Sequence, residues 1–143
     1  MEPRDTACLD ALSWFESLTR LGAWTMAEAP LENVLRLAYS LAALAPPPFR
    51  ALAACTLDET AFDELLQRQA FEAAAIALIG TALRYEVVSC AGAASPATVR
   101  IWLNGDTGET LVTSDTLPAA LVRAWITFML GVGQATGSSH RSA

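Results

Sequence analysis

Three short runs of strand-forming residues follow one another in the second half of this 143-residue chain: LRYEVVSC (83–90), ATVRIWL (97–103) and ETLVTS (109–114). In the middle run Val99, Ile101 and Leu103 alternate with Thr98, Arg100 and Trp102. That period of two is the mark of a strand with one face in a core. Asn104, Gly105, Asp106, Thr107 and Gly108 form a stretch dense in residues that tolerate positive φ, so the second and third runs read as a hairpin. AGAASP (91–96) is a small-residue loop between the first two. A sheet with one apolar face must bury it against another layer, and the rest of the chain reads as helix.

Residues 5–20 have the spacing of an amphipathic helix, with Asp5 or Thr6 as cap, Cys8, Leu9, Leu12, Phe15 and Leu18 as stripe, and Gly22 as its end. LGAWTMAEA then reads as a connector with Trp24 as an anchor. A second helix starts at Pro30, a residue suited to a first turn. Its stripe is Leu31, Val34, Leu35, Ala38, Leu41 and Ala42. Leu35, Leu37, Tyr39 and Leu41 also alternate with period two, but the alanines and the length favour helix. Pro46-Pro47-Pro48 stops it, and Phe49 to Cys55 is a candidate short helix. Thr56-x-x-Glu59 fits a capping box, with Thr60 as a second candidate cap. A long helix then runs to about Ile79 through Phe62, Leu65, Leu66, Phe71, Ala73 and Ile76. Its end, AAAIALI, is apolar all round, and Gly80 caps it. The last helix opens near Pro118, carries Leu117, Leu121, Val122, Trp125, Met129 and Leu130, and ends at Gly131 and Gly133.

These elements predict a single α+β domain over residues 1–133, in the order α-α-α-β-β-β-α, with a polar, disordered tail at 134–143. Within it, 57–131 forms an α-β-β-β-α unit with helices 57–79 and 117–131 on one face of a three-stranded antiparallel sheet. The helical extension 5–55, or a second copy of the chain, is expected to cover the other face.

Composition narrows the function classes. Apolar residues make up 53% of the chain and charged residues 17%, a surplus that must go into a large core or against a partner. A membrane span needs roughly 20 consecutive apolar residues. Neither 73–83, which Gly80 interrupts, nor 37–49, which holds three prolines, reaches that length. MEPRDTACLD does not read as a signal peptide, so a cytoplasmic location and no membrane partner are expected. Fifteen acids face nine bases, every one an arginine, for a net charge of −6. Such a chain repels phosphate backbones, and no nucleic-acid partner is expected. Cys8, Cys55 and Cys90 are widely spaced with no CxxC, and the only histidine, His140, lies in the tail. No metal or other cofactor is expected from that set.

Two candidate surfaces remain. On the sheet, Leu83, Tyr85 and Val87 match Val99, Ile101 and Leu103 as the helix-facing side. The opposite side then shows Arg84, Glu86, Val88, Thr98, Arg100 and Trp102, joined by Thr110/Val112 or Leu111/Thr113 according to register. Glu86 can pair with Arg84 or Arg100 across strands. Trp102 and Arg100 are residue types that anchor interfaces. The second surface is DETAFDELLQRQAFE (58–72), whose Asp58, Glu59, Asp63 and Glu64 read either as a docking face for a basic partner or as a solvated helix start.

LLQRQAFEAAAIALIG (65–80), YEVVS (85–89), TVRIWL (98–103) and SDTLPAALVRAWI (114–126) together resemble small α-β-β-β-α sandwich proteins of phages, prophages and alphaproteobacteria. The resemblance covers about residues 57–131 and implies a fold but no activity or site. The layout is also similar to double-stranded-RNA-binding domains. Those carry a lysine-rich start to their last helix, where this chain has SDTLPAAL and no base before Arg123. Type III secretion chaperones are similar in size, acidity and dimeric habit, but their strands precede the long helix.

The function expected from sequence is a non-catalytic protein–protein interaction module, a homodimer, of the kind a phage-derived inhibitor or adaptor would be. The alternatives are a small enzyme using buried carboxylates or Cys90, and an acidic, secretion-chaperone-like dimer. No catalytic residue stands out, because nucleophilic catalysis needs an oriented base beside the nucleophile and the sequence singles out none.

Overall fold

The computed structural model describes residues 10–26, 30–90, 96–103 and 109–142. Its elements are α1 (Ala11–Met26), α2 (Leu31–Ala43), α3 (Pro47–Arg50), α4 (Glu59–Gln67), α5 (Phe71–Ile79), β1 (Leu83–Cys90), β2 (Ala97–Leu103), β3 (Glu109–Ser114) and α6 (Leu117–Ser142). The fold is α+β, with one antiparallel sheet in the order β1-β2-β3.

α6 is the centre of the molecule. Ala120, Leu121, Val122, Ala124, Trp125 and Met129 have no exposed surface, and Ile126 and Phe128 have little. At 100° per residue those positions span about 240° of the helix and leave a strip with Arg123 and Thr127 toward solvent, so α6 needs neighbours over most of its surface. β2 and β3 cover one side, and α1, α2 and α5 pack on the others. This departs from the expected pair of helices lying side by side on the sheet. α5 docks on α6 and α2, because the back of α6 is itself apolar and has to be covered.

The N-terminal helices go to the same side. The described residues 10–26 and 30–55 do not cover the sheet's other face; α1 and α2 build an outer layer on α6 instead. Trp14 ties that layer together. Its ring is fully buried, and its indole Nε1 donates to the Leu41 carbonyl at 2.8 Å. It stacks on Phe49 at 5.6 Å and meets Phe15 edge-on at 5.1 Å, so one side chain links α1, α2 and α3.

Several helix boundaries differ from the sequence reading. α1 buries Trp14, Leu18 and Leu21, while Leu12, expected in the stripe, is 72% exposed. Asp10 caps α1 by accepting from Ser13 N–H at 2.7 Å, a bond that holds its carboxyl below the usual range. The expected caps Asp5 and Thr6 lie outside the described residues. Gly22 does not end α1, which runs on past Trp24 to Met26. A glycine stops a helix by turning left-handed, and among the described glycines only Gly80 has positive φ. α6 likewise passes Gly131 and Gly133 and continues to Ser142, through the stretch read as a disordered tail. The cap before α4 is Asp58, which accepts from Ala61 N–H at 2.8 Å, in place of Thr56 or Thr60.

The long helix expected over 57–79 is two helices. Gln69 takes φ +60°, Gln69 N–H bonds the Leu66 carbonyl, and Ala70 N–H reaches back to Leu65. This is the paired bonding of a left-handed helix stop, built here without glycine. α5 ends at Gly80, whose φ of 78° and ψ of −159° suit glycine alone. A Cβ there would sit 2.3 Å from the Ala54 carbonyl oxygen.

The two stops predict opposite outcomes in urea unfolding. Gly80→Ala should cost about 2 kcal/mol or more, from backbone strain plus the clash with Ala54. Gln69→Gly should gain about 1 kcal/mol by relieving a left-handed side-chain residue. A neutral Gly80→Ala would mean that the chain reroutes around Ala54.

Candidate functional site

The register of the sheet decides which side chains share a face. β1 and β2 pair Arg84 with Trp102, Glu86 with Arg100 and Val87 with Val99. β2 and β3 pair Thr98 with Thr113, Arg100 with Leu111 and Trp102 with Glu109. Ala97, Val99, Ile101 and Val112 face α6 and are buried. The outer face therefore holds Arg84, Glu86, Thr98, Arg100, Trp102, Glu109, Leu111 and Thr113. Of the two registers left open by the sequence, the one with Leu111 and Thr113 outward is adopted. The four expected residues Arg84, Glu86, Arg100 and Trp102 do come together.

No described helix lies over this face. Leu111 is 60% exposed, and Val88 is 51% exposed at a bulge, where the register slips between Val87 and Ser89. Arg100 is the hub. Its guanidinium bridges Glu86 on β1 and reaches Glu109 on β3 at 3.5 Å. It also lies 5.3 Å from the ring centre of Trp102. The bond from Glu86, then the two negative charges, hold Arg100 firmly charged. Glu86 is thus taken by Arg100, and Arg84 makes no ion pair among the described residues. Thr98 and Thr113 hydroxyls bond across strands at 2.8 Å. Exposed ion pairs of this kind add little stability, so their main effect is to fix the pose of Arg100 and the ring beneath it. What results is a mixed surface: an aromatic–guanidinium centre, apolar Val88 and Leu111, and carboxylates on both sides.

The helix-facing side is incomplete at its β1 end. Tyr85 and Val87 were expected to be covered with Ile101 and Val99, yet each is 38% exposed. α6 sits across β2 and β3 and does not extend over β1.

The acidic residues 58–64 form a separate region. Asp58 is the α4 cap, and Asp63 accepts from Arg36 of α2 and from Gln67. Glu59 and Glu64 are exposed. Arg36 also bonds Glu32 at 3.0 Å, so this cluster serves to clamp α2 to α4. Beside it lies a groove of about 500 Å³ lined by Arg36, Tyr39, Ser40, Glu59, Thr60 and Asp63. It is a concave polar site that a small-enzyme reading could use. Its hydroxyls have no histidine beside them among the lining residues, and of its two carboxylates Asp63 is already held by Arg36 and Gln67. Tyr39 donates to the Leu57 carbonyl, and burial pushes its phenol up.

Cys55 is half-buried and unpaired, and burial raises its thiol above the usual value. It therefore stays protonated near neutral pH, the unreactive form. Cys90 ends β1, and its side chain lies outside the described residues, as does Cys8. Among the described residues no cluster of three or more His, Cys, Asp or Glu side chains could hold a metal, and no helix is long and apolar enough to cross a membrane.

The sequence reading omitted Glu109 and Trp14. Glu109 follows from register, which fixes what lies opposite Trp102. Trp14 follows from the i, i+4, i+7 spacing it shares with Leu18 and Leu21. No protein-family model matches the chain, and no curated protein or solved structure matches it.

Trp102→Ala should leave the chain folded and cost about 1 kcal/mol, the size of a surface cation–π contact and some packing. Trp125→Ala, in the centre, should cost about 3–5 kcal/mol. Comparable losses in urea unfolding would place Trp102 in the core instead of on an open face.

Proposed function

We propose that this chain is a non-catalytic protein-interaction module, that it works as a homodimer, and that its exposed sheet is the binding surface. The observation that carries this reading is the sheet itself. One whole face, with Trp102, Arg100, Val88 and Leu111, has no described element over it. Aromatic and arginine side chains held in fixed poses are the usual anchors of interfaces. The face is also balanced in charge, with Arg84 and Arg100 against Glu86 and Glu109, and its Arg84/Glu86 margin on β1 suits self-complementary association. The cytoplasm is the proposed location, supported by cysteines with no pairing pattern. The net charge of −6 argues for a protein partner over a nucleic acid.

The test is the solution mass of the purified chain over a concentration series, by sedimentation or light scattering. The expected result is a reversible approach to twice the 15.2 kDa chain mass as concentration rises. A constant monomer mass up to high micromolar concentration would remove the homodimer.

A further inference from the structure

Residues 84–89 of β1 are all exposed, and among the described residues β1 pairs with β2 alone. Its outer row of N–H and C=O groups has no described strand beside it, and such an edge is a template for another strand. The opposite edge is partly closed, since Arg123 of α6 donates to the Thr113 carbonyl of β3 at 3.2 Å. On β1 the bulge at Val88 breaks the regular ladder and leaves Leu83–Val87 as the straight part of the edge.

That straight part reads Leu-Arg-Tyr-Glu-Val, and it is its own antiparallel complement. Turned end for end about Tyr85, it sets Leu83 against Val87 and Arg84 against Glu86, with Tyr85 against itself. Apolar residues meet apolar ones on one face, and opposite charges meet on the other. Each such cross-strand pair is favourable. Arg84, without an ion pair among the described residues, acquires one. On the helix-facing side, Tyr85 and Val87 lie beyond the reach of α6, and a second copy would bring its own Tyr85 and Val87 against them. No comparable match exists on β3, where the only charged residue is Glu109.

We propose that two copies of this chain join through β1, antiparallel about a two-fold axis at Tyr85, into one continuous six-stranded sheet. The proposal rests on the homodimer reading and specifies its geometry. A two-fold interface repeats every contact twice, so the Arg84–Glu86 pair occurs on both sides of the axis. Five paired residues a side bury less than the roughly 1,600 Å² of a standard stable interface, so the association is reversible. The outer faces of both copies stay open and lie side by side on the joined sheet.

A charge-reversal exchange tests this. Arg84→Glu and Glu86→Arg are made separately, checked for native circular dichroism, and followed by sedimentation. Each variant alone should dissociate about tenfold or more readily than the parent, because two attractive cross-strand pairs become two repulsive ones. Mixed one to one, the variants should recover a heterodimer, since every opposed pair is then of opposite charge. A second measurement uses Tyr85→Cys with Cys8, Cys55 and Cys90 changed to Ala; mild oxidation should give a covalent dimer. Variants that dimerise like the parent, variants that both weaken without recovery on mixing, or no cross-link at position 85 would overturn the β1 edge and leave a homodimer through another surface. A parent chain that is monomeric throughout would overturn the homodimer and the edge pairing together.

Discussion

A helix that is apolar over most of its circumference has to be surrounded on most sides, and α6 imposes that requirement on the rest of the fold. Between Leu117 and Met129 only Arg123 and Thr127 interrupt an otherwise apolar or small sequence with solvent-facing chemistry. The sheet alone can cover only one side of such a helix. α1, α2 and α5 are drawn to the rest, and the three layers that result absorb the 53% apolar content. No polar or charged residue is buried among those described, so the core is held by packing, with the Trp14 indole bond to Leu41 as a local tie. Because α1, α2 and α5 are used around α6 and α4 packs on α5, no described helix is left for the sheet's outer face.

Strand β2 links the core to the surface chemistry. Arg100 and Trp102 sit on the same strand as Val99 and Ile101, one residue out of phase. The buried pair fixes the position of β2 against α6, and the strand then presents the outer pair on a rigid base. The flanking carboxylates Glu86 and Glu109 come from the two neighbouring strands. Rigid placement lowers the entropy lost when a partner engages the ring and the guanidinium.

The sheet was the most legible part of the sequence. Its three strands fall at 83–90, 97–103 and 109–114, because alternation and turn residues act locally. The α2 boundaries were equally local, set by Pro30 and the run Pro46–Pro48. The break at Gln69 was hidden, since the chain makes a left-handed stop with a residue that carries no turn signal. The glycines misled in the opposite direction: Gly22 and Gly131 keep right-handed geometry inside helices that packing sustains. Which layer covers which was the hardest to read. The expectation that 5–55, or a second copy, covers the outer face followed from the sheet and from the apolar stripes of the N-terminal helices, while the deciding signal was the back of α6 at Ala120, Ala124 and Phe128. Of the candidate site, Arg84, Glu86, Arg100 and Trp102 could be grouped by alternation. Their partners Glu109 and Leu111 required the register, which only the paired strands define.

The four tryptophans are distributed over the structure in a way that makes the chain report on itself. Trp14 and Trp125 are sealed in the interior, whereas Trp24 and Trp102 meet solvent. Their emission therefore divides into a blue, quencher-shielded half and a red, quencher-accessible half. Unfolding must shift the first, while occupation of the sheet can alter only the second. Trp102 adds a further distinction, since its ring lies beside the fixed Arg100 guanidinium. A ligand settling on the outer face disturbs that local field and changes the red component alone. Folding and docking are thus optically separable in the unlabelled protein.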